Sequence, residues 1–176
     1  MFSLYDTLDF SGQYQSISSV YDANNKPLIK YLTNVSGLIF DNCNSVSPTG
    51  SYFGEYDNST KTLVFETLPN LETLSFNNCN DTDNSTLDLT NCPKIQSLDL
   101  RGTAAGVKLV NSEIETLQLG SPETVIISNP LSLKNDGVSI ESSINLENVT
   151  LTNVNVGKNL NPAEMNGFNT FDILYA

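Results

Sequence analysis

The chain is 176 residues long, 39% hydrophobic and 16% charged, with no histidine and a net charge of −12. Its 8 Lys and Arg, scattered along the sequence, cannot neutralise a nucleic-acid backbone, and the acidity equally disfavours an anionic membrane surface. Without histidine, Ser-His-Asp and Cys-His nucleophiles, histidine-ligated zinc and histidine acid–base chemistry are all excluded.

Length argues for one domain with a continuous core. The polarity comes from Asn, Ser and Thr rather than from charge. That suits short strands and turns, because Asn bonds to its own backbone and tolerates left-handed conformations. Cys43, Cys79 and Cys92 form an odd set without CxxC spacing, so free thiols are expected. The N-terminus MFSLYDTLDF lacks a basic stretch followed by a long apolar run, so it is not a signal peptide. No window approaches the roughly 18 apolar residues needed to span a bilayer, so no membrane insertion is expected.

Residues 1–34 read as an N-terminal cap region. Leu8/Phe10 forms an apolar pair, and GQYQSISSVYDANNKPL follows as strand, turn and re-entry. From Val35 to Val156 a register is clear. Pairs of apolar residues separated by one other residue recur at Leu38/Phe40, Leu63/Phe65, Leu74/Phe76, Leu87/Leu89, Leu98/Leu100 and Val107/Leu109, then at Leu117/Leu119, Val125/Ile127, Val138/Ile140 and Val149/Leu151. After the first gap the spacing is about 11 residues, giving coils of about 22. Each pair is a short strand with one buried face. Alternate pairs fall into two columns, one holding Leu38, Leu74, Leu98, Leu117 and Val138, the other Leu63, Leu87, Val107, Val125 and Val149. The spacing therefore predicts a mainly β solenoid with two short parallel sheets and few or no helices, since no segment sustains helical apolar periodicity.

The first gap is too long, and the excess at residues 45–59 is expected to be a loop inserted into one coil. Its Tyr52, Phe53 and Tyr56 are candidates for binding, the alternative being that they fold back over the first coils. Residues 157–176 lose the register and form either a cap or a junction to another part. Asp81-Thr82-Asp83-Asn84 has paired carboxylates but lacks the glycine and distal glutamate of an EF-hand loop, so a turn is expected and no metal site is assigned. Sequons at Asn34, Asn58, Asn80, Asn84 and Asn148 follow from the abundance of Asn.

The outward strand positions form the candidate ligand face. In the first column they include Ser75, Asn77, Asp99, Arg101 and Gln118, a run of polar side chains of the kind a solenoid presents to partners. In the second column, Val64, Val110 and Ile126 point outward and hint at contact with another protein. Asp88 and Asp99 fall on different columns, so the paired carboxylates of a glycan-active β-solenoid are not expected. No catalytic residue and no cofactor is assigned.

The segments LETLSFNNCN, LDLTNCPKIQSLDL and IETLQL resemble leucine-rich repeats, most closely the irregular β-rich repeats of gut bacteria and their phages. The resemblance covers residues 35–156. It implies that Cys43, Cys79 and Cys92 occupy the inward slot that ties a turn to its neighbours. It also implies non-catalytic recognition of a protein or glycan partner on a solenoid face, or a structural role within a larger assembly. A phage virion or tail component, or a bacterial surface recognition protein, is the expected setting, in a virion or outside the cell. Alternatives are an architectural spacer in a longer chain and a carbohydrate-active β-solenoid.

Overall fold

A computed structural model describes residues 6–12, 24, 28–44, 46–110, 113–114, 116–120, 125–128, 132–133, 138–140, 149–154 and 171–173. The chain is mainly β, built on two sheets. The first contains β1 (Thr7–Asp9), β2 (Gly37–Ile39), β5 (Thr73–Ser75), β7 (Ser97–Leu100), β10 (Thr116–Leu119) and β13 (Val138–Ile140), in that spatial order. The second runs from β3 (Gly54–Asp57) through β4 (Thr62–Phe65), β6 (Thr86–Asp88), β8 (Gly106–Val110), β11 (Val125–Ser128) and β14 (Val149–Val154) to β15 (Phe171–Ile173). A further two-stranded sheet, β9 (Glu113–Ile114) with β12 (Ser132–Leu133), adds a pairing that the sequence spacing did not foretell. Among the described residues the only helical elements are single 3-10 turns at Leu28–Tyr31 and Ser51–Phe53.

The apolar pairs set the strand register. Leu8, Leu38, Leu74, Leu98, Leu117 and Val138 are Cα partners from strand to strand across the first sheet. Leu63, Leu87, Val107, Val125 and Val149 are partners across the second. All of these pairings are parallel. Leu38, Leu74, Leu98, Leu117, Leu63, Leu87 and Val107 have no exposed surface. Burying a side chain of this size contributes roughly 1.5–3 kcal/mol, and a one-residue slip would turn all of them outward at once.

In the first pairs of the first sheet, the second member builds an inner aromatic stack. Phe10, Phe40 and Phe76 lie face to face at centroid separations of 5.2 and 5.0 Å, inclined by 7° and 20°. Val35, Leu71 and Ile95, each three residues before a first-sheet leucine, are buried in the turns that enter that sheet.

The turns leaving the first sheet explain the recurring Asn and Gly. Gly12, Asn42, Asn78 and Gly102 each follow the strand leucine by four residues, and all have positive φ, at 69°, 58–59° for the two asparagines, and 78°. Only Gly adopts this conformation freely, with Asn the best tolerated of the rest. The asparagines also bond from coil to coil: Asn78 Nδ2 donates to Asn42 Oδ1 at 2.9 Å, and Asn80 Nδ2 to Asn44 Oδ1 at 2.8 Å. The cysteines follow directly. Cys79 Sγ donates to the Phe40 carbonyl at 3.1 Å, and Cys43 Sγ to the Phe10 carbonyl at 3.2 Å. Cys92 Sγ reaches the Glu66 carbonyl at 3.6 Å. All three are free and buried.

Two expectations need correction. Residues 45–59 are not a free loop: they contain a 3-10 turn and β3, which pairs antiparallel with β4 as Gly54↔Phe65 and Tyr56↔Leu63. Phe53, a binding candidate, has no exposed surface and packs against Phe40, Phe65 and Phe76 at 5.1, 5.7 and 5.2 Å. Hydrophobic burial claims it for the core, so it is not accessible to a ligand. The strand-and-turn expectation for 13–27 lies outside the described residues apart from Asn24. Within 157–176, Phe171–Ile173 is a strand of the second sheet, paired parallel with β14.

Replacing Asn78 tests the turn geometry. Asn78→Gly should cost little, whereas Asn78→Val should destabilise by about 1–2 kcal/mol or more from left-handed strain alone, measured by urea unfolding. Equal losses for the two variants would show that the side-chain ladder, not the backbone conformation, is the stronger demand. The thiols provide a second check. Burial pushes Cys79 up to about 11 and Cys92 up to about 12, so both are protonated at neutral pH. Iodoacetamide should leave them unmodified in the native protein and alkylate them rapidly in urea, as read by mass spectrometry.

Candidate functional site on the outer sheet faces

Side chains alternate across a strand, so every polar residue between two core residues faces out, and parallel register places these residues in columns. On the first sheet one column is Asp9, Ile39, Ser75, Asp99, Gln118 and Ser139. A second is Thr7, Gly37, Thr73 and Ser97, with Thr116 next in register. At the strand exits follow Asp41, Asn77 and Arg101. The sequence expectation thus placed Ser75, Asn77, Asp99, Arg101 and Gln118 on one face, and the structure brings them together there.

Their availability differs from that expectation. Ser75 is buried, at 7% exposure, and donates to Asp41 Oδ1 at 2.5 Å. The same carboxylate oxygen accepts the Asn77 amide at 2.9 Å. Ser75 is a short side chain between the larger Ile39 and Asp99, and with its hydroxyl bonded to Asp41 it serves the sheet rather than a ligand. Asp41 is the residue that sequence reasoning missed. It directly follows the Leu38/Phe40 pair in sequence, and only the stacking of strands reveals it as an acceptor for residues 34 and 36 positions later.

Asp99 and Arg101 form a pair within one strand exit. Arg101 Nε lies 3.0 Å from both carboxylate oxygens, Nη2 lies 2.6 Å from Oδ2, and the Arg101 amide also donates to Oδ1 at 3.0 Å. Their side chains are 30% and 16% exposed. The guanidinium therefore lies along the sheet instead of projecting from it. Asn77, Asp99, Arg101 and Gln118 are half-buried, as are Thr73 and Ser97. The result is a polar sheet face on which Asp99 and Arg101 bond to each other and Ser75 and Asn77 bond to Asp41.

The outer face of the second sheet is mixed. Glu55, Val64, Asp88, Lys108, Ile126 and Thr150 are successive Cα partners. Val64 is 37% exposed, while Ile126 and Val110 are half-buried. Between Val64 and Ile126 stands the Asp88–Lys108 ion pair at 2.7 Å. The apolar strip hinted at by the sequence is therefore interrupted.

Asp88 is 8% exposed and Lys108 38%. Burial would raise the Asp88 pKa, but bonds from the Lys108 ammonium and from the Thr90 hydroxyl and amide outweigh it, and the carboxyl sits below its ordinary range. Asp83 is likewise lowered: partial burial opposes the Ser85 and Thr49 hydrogen bonds and loses to them. Asp81 accepts from Ser47 Oγ at 2.7 Å, so the two acids at 81 and 83 hold the preceding coil's excursion. Among the described residues, no group of three or more Cys, Asp and Glu is placed to hold a metal ion. No helix among them is long and apolar enough to cross a membrane.

Comparison with family models, with curated proteins and with solved structures returned no match.

The lowered carboxyls predict an acid-sensitive fold. A carboxyl depressed in the folded state contributes stability above its unfolded value of about 3.9, and that contribution is lost as pH falls through the folded value. Unfolding free energy should therefore be level from pH 7 to about 5 and fall below about 4. Asp88→Asn should flatten part of that decline. Lys108→Met at pH 7 should cost about 1–2 kcal/mol, held down by the lysine's exposure. A variant as stable as wild type would mean that the pair contributes nothing.

Proposed function

We propose that the chain is a leucine-rich-repeat-type solenoid of about 22-residue coils and acts as a non-catalytic recognition or structural module. The observation that carries this is the in-register column of leucines across parallel strands that alternate between two sheets from β4 to β14. Stacked coils of this kind present a long, regular surface.

The first sheet's outer face is the recognition surface in this proposal. Thr73, Ser97 and Gln118 lie on consecutive strands, and the self-neutralised Asp99–Arg101 pair adds directional donors and acceptors without net charge. A flat, polar, partly satisfied face suits a folded protein partner over a small molecule, which needs a concave site. Asp88 and Asp99 belong to different sheets, and each is matched by a cation. That arrangement offers no carboxylate pair for glycoside cleavage, which favours recognition over catalysis. The setting implied by the resemblance, a phage particle or a bacterial surface, remains part of the proposal.

Site-specific photo-crosslinking in the native cell or particle tests the face. A photoreactive residue at Ser97 or Gln118 should yield a discrete adduct, while the same residue at Thr90, exposed in the turn that follows β6, should not. Adducts from neither first-sheet position, or equally from Thr90, would overturn the assignment.

A further inference from the structure

We propose that the hairpin formed by β3 and β4 is a built-in edge cap, latched to the next coil, that keeps the second sheet from pairing with a second copy of this chain. Every other described strand pairing is parallel and joins coil to coil, so the sheet's first regular strand is β4, carrying Leu63, Phe65 and the exposed Val64. An unpaired strand edge with such side chains is a template for another chain. β3 occupies that edge in the reverse direction, the only antiparallel pairing among the described residues.

Three features make β3 a cap instead of one more coil. First, Phe53 completes the core at the end of the stack, lying 5.7 Å from Phe65 and inclined by 21°. Second, Gly54 allows a close approach that no other residue permits: a Cβ there would meet the Val64 carbonyl oxygen at 2.0 Å. Third, a latch of hydroxyls ties the excursion to the following coil. Ser47 Oγ donates to Asp81 at 2.7 Å, Thr49 Oγ1 to Asp83 at 3.1 Å, and the Tyr56 and Ser85 hydroxyls are bonded at 2.7 Å. Tyr52 closes the turn internally, its hydroxyl accepting from the Ser47 amide at 2.9 Å.

The outward side chains of the cap are of the sort that discourage further pairing. Glu55 and Asp57 are both exposed on β3. Asp57 also fixes the hairpin turn by accepting from the Ser59 amide and hydroxyl and from Thr60 Oγ1. A second copy approaching this edge meets like charge instead of an apolar strand. The cap concerns self-association only and is independent of any partner bound on the first sheet.

The test compares wild type with two variants. Gly54→Val drives the backbones apart, while the triple change Ser47→Ala, Thr49→Ala and Tyr56→Phe loosens the latch without a clash. Amide hydrogen exchange reports whether β3 and β4 separate, and light scattering after size exclusion reports mass between about 10 µM and 1 mM. Wild type should be monomeric throughout. Both variants should exchange at least about tenfold faster across residues 54–65, a ratio that corresponds to about 1.4 kcal/mol of local opening, and should become dimers or larger as concentration rises. If Gly54→Val fails to fold, the triple variant decides. Fast exchange with monomer mass at every concentration would overturn the proposal. Unchanged exchange in the triple variant, or a wild type that self-associates equally, would do the same.

Discussion

Parallel stacking of equivalent positions is the constraint on which the rest of this structure depends. When Leu74 lies against Leu38 and Leu98, every other residue of the coil is also set beside its own counterpart. Whatever a position requires once, it requires in each coil. An inward slot must be apolar, as the ladders of Leu38, Leu74 and Leu98 are. A corner must accept a left-handed backbone, as Gly12, Asn42, Asn78 and Gly102 do. The high Asn content is thus a consequence of architecture: Asn serves the corner twice, by its backbone tolerance and by the amide ladder to the next coil.

The same constraint decides what is left for function. Polar side chains brought into columns find one another before they find a ligand. Asp41 takes up Ser75 and the Asn77 amide, Asp88 takes up Lys108, and Asp99 takes up Arg101. In a flat face these bonds cost little entropy because the strands already hold the partners in place. The surface that remains is polar, with Asp88 and Asp99 each matched by a cation. In the recognition role proposed above, such a surface would discriminate by shape and hydrogen-bond pattern over an area.

The excursion after β2 shows how an interruption of the repeat is absorbed. Its aromatic residues were open to two interpretations from sequence alone, surface recognition or internal cover. Phe53 settles it, because it is fully buried as one more ring among Phe40, Phe65 and Phe76. Tyr52 and Tyr56 stay half-buried, with their hydroxyls turned to Ser47 and Ser85. A tyrosine whose ring packs and whose hydroxyl is bonded serves cohesion first.

The spacing of apolar pairs by itself determined the strands that carry those pairs, their division into two columns and the register within each, since a buried face with period two leaves one alignment for each strand. That the cysteines face inward is what the resemblance to leucine-rich repeats implied, and all three are buried. Tertiary structure alone decided the contacts between coils. That Ser75 is covered, that Asp41 serves residues more than thirty positions away, and that residues 54–57 form an antiparallel strand follow from which side chains stand next to each other in neighbouring coils. The lengths of the intervening turns set those neighbours, and turn length has no periodic signature. The feature that organises this protein is therefore written in its repeat, while the features that shape its surface arise where the repeat is broken.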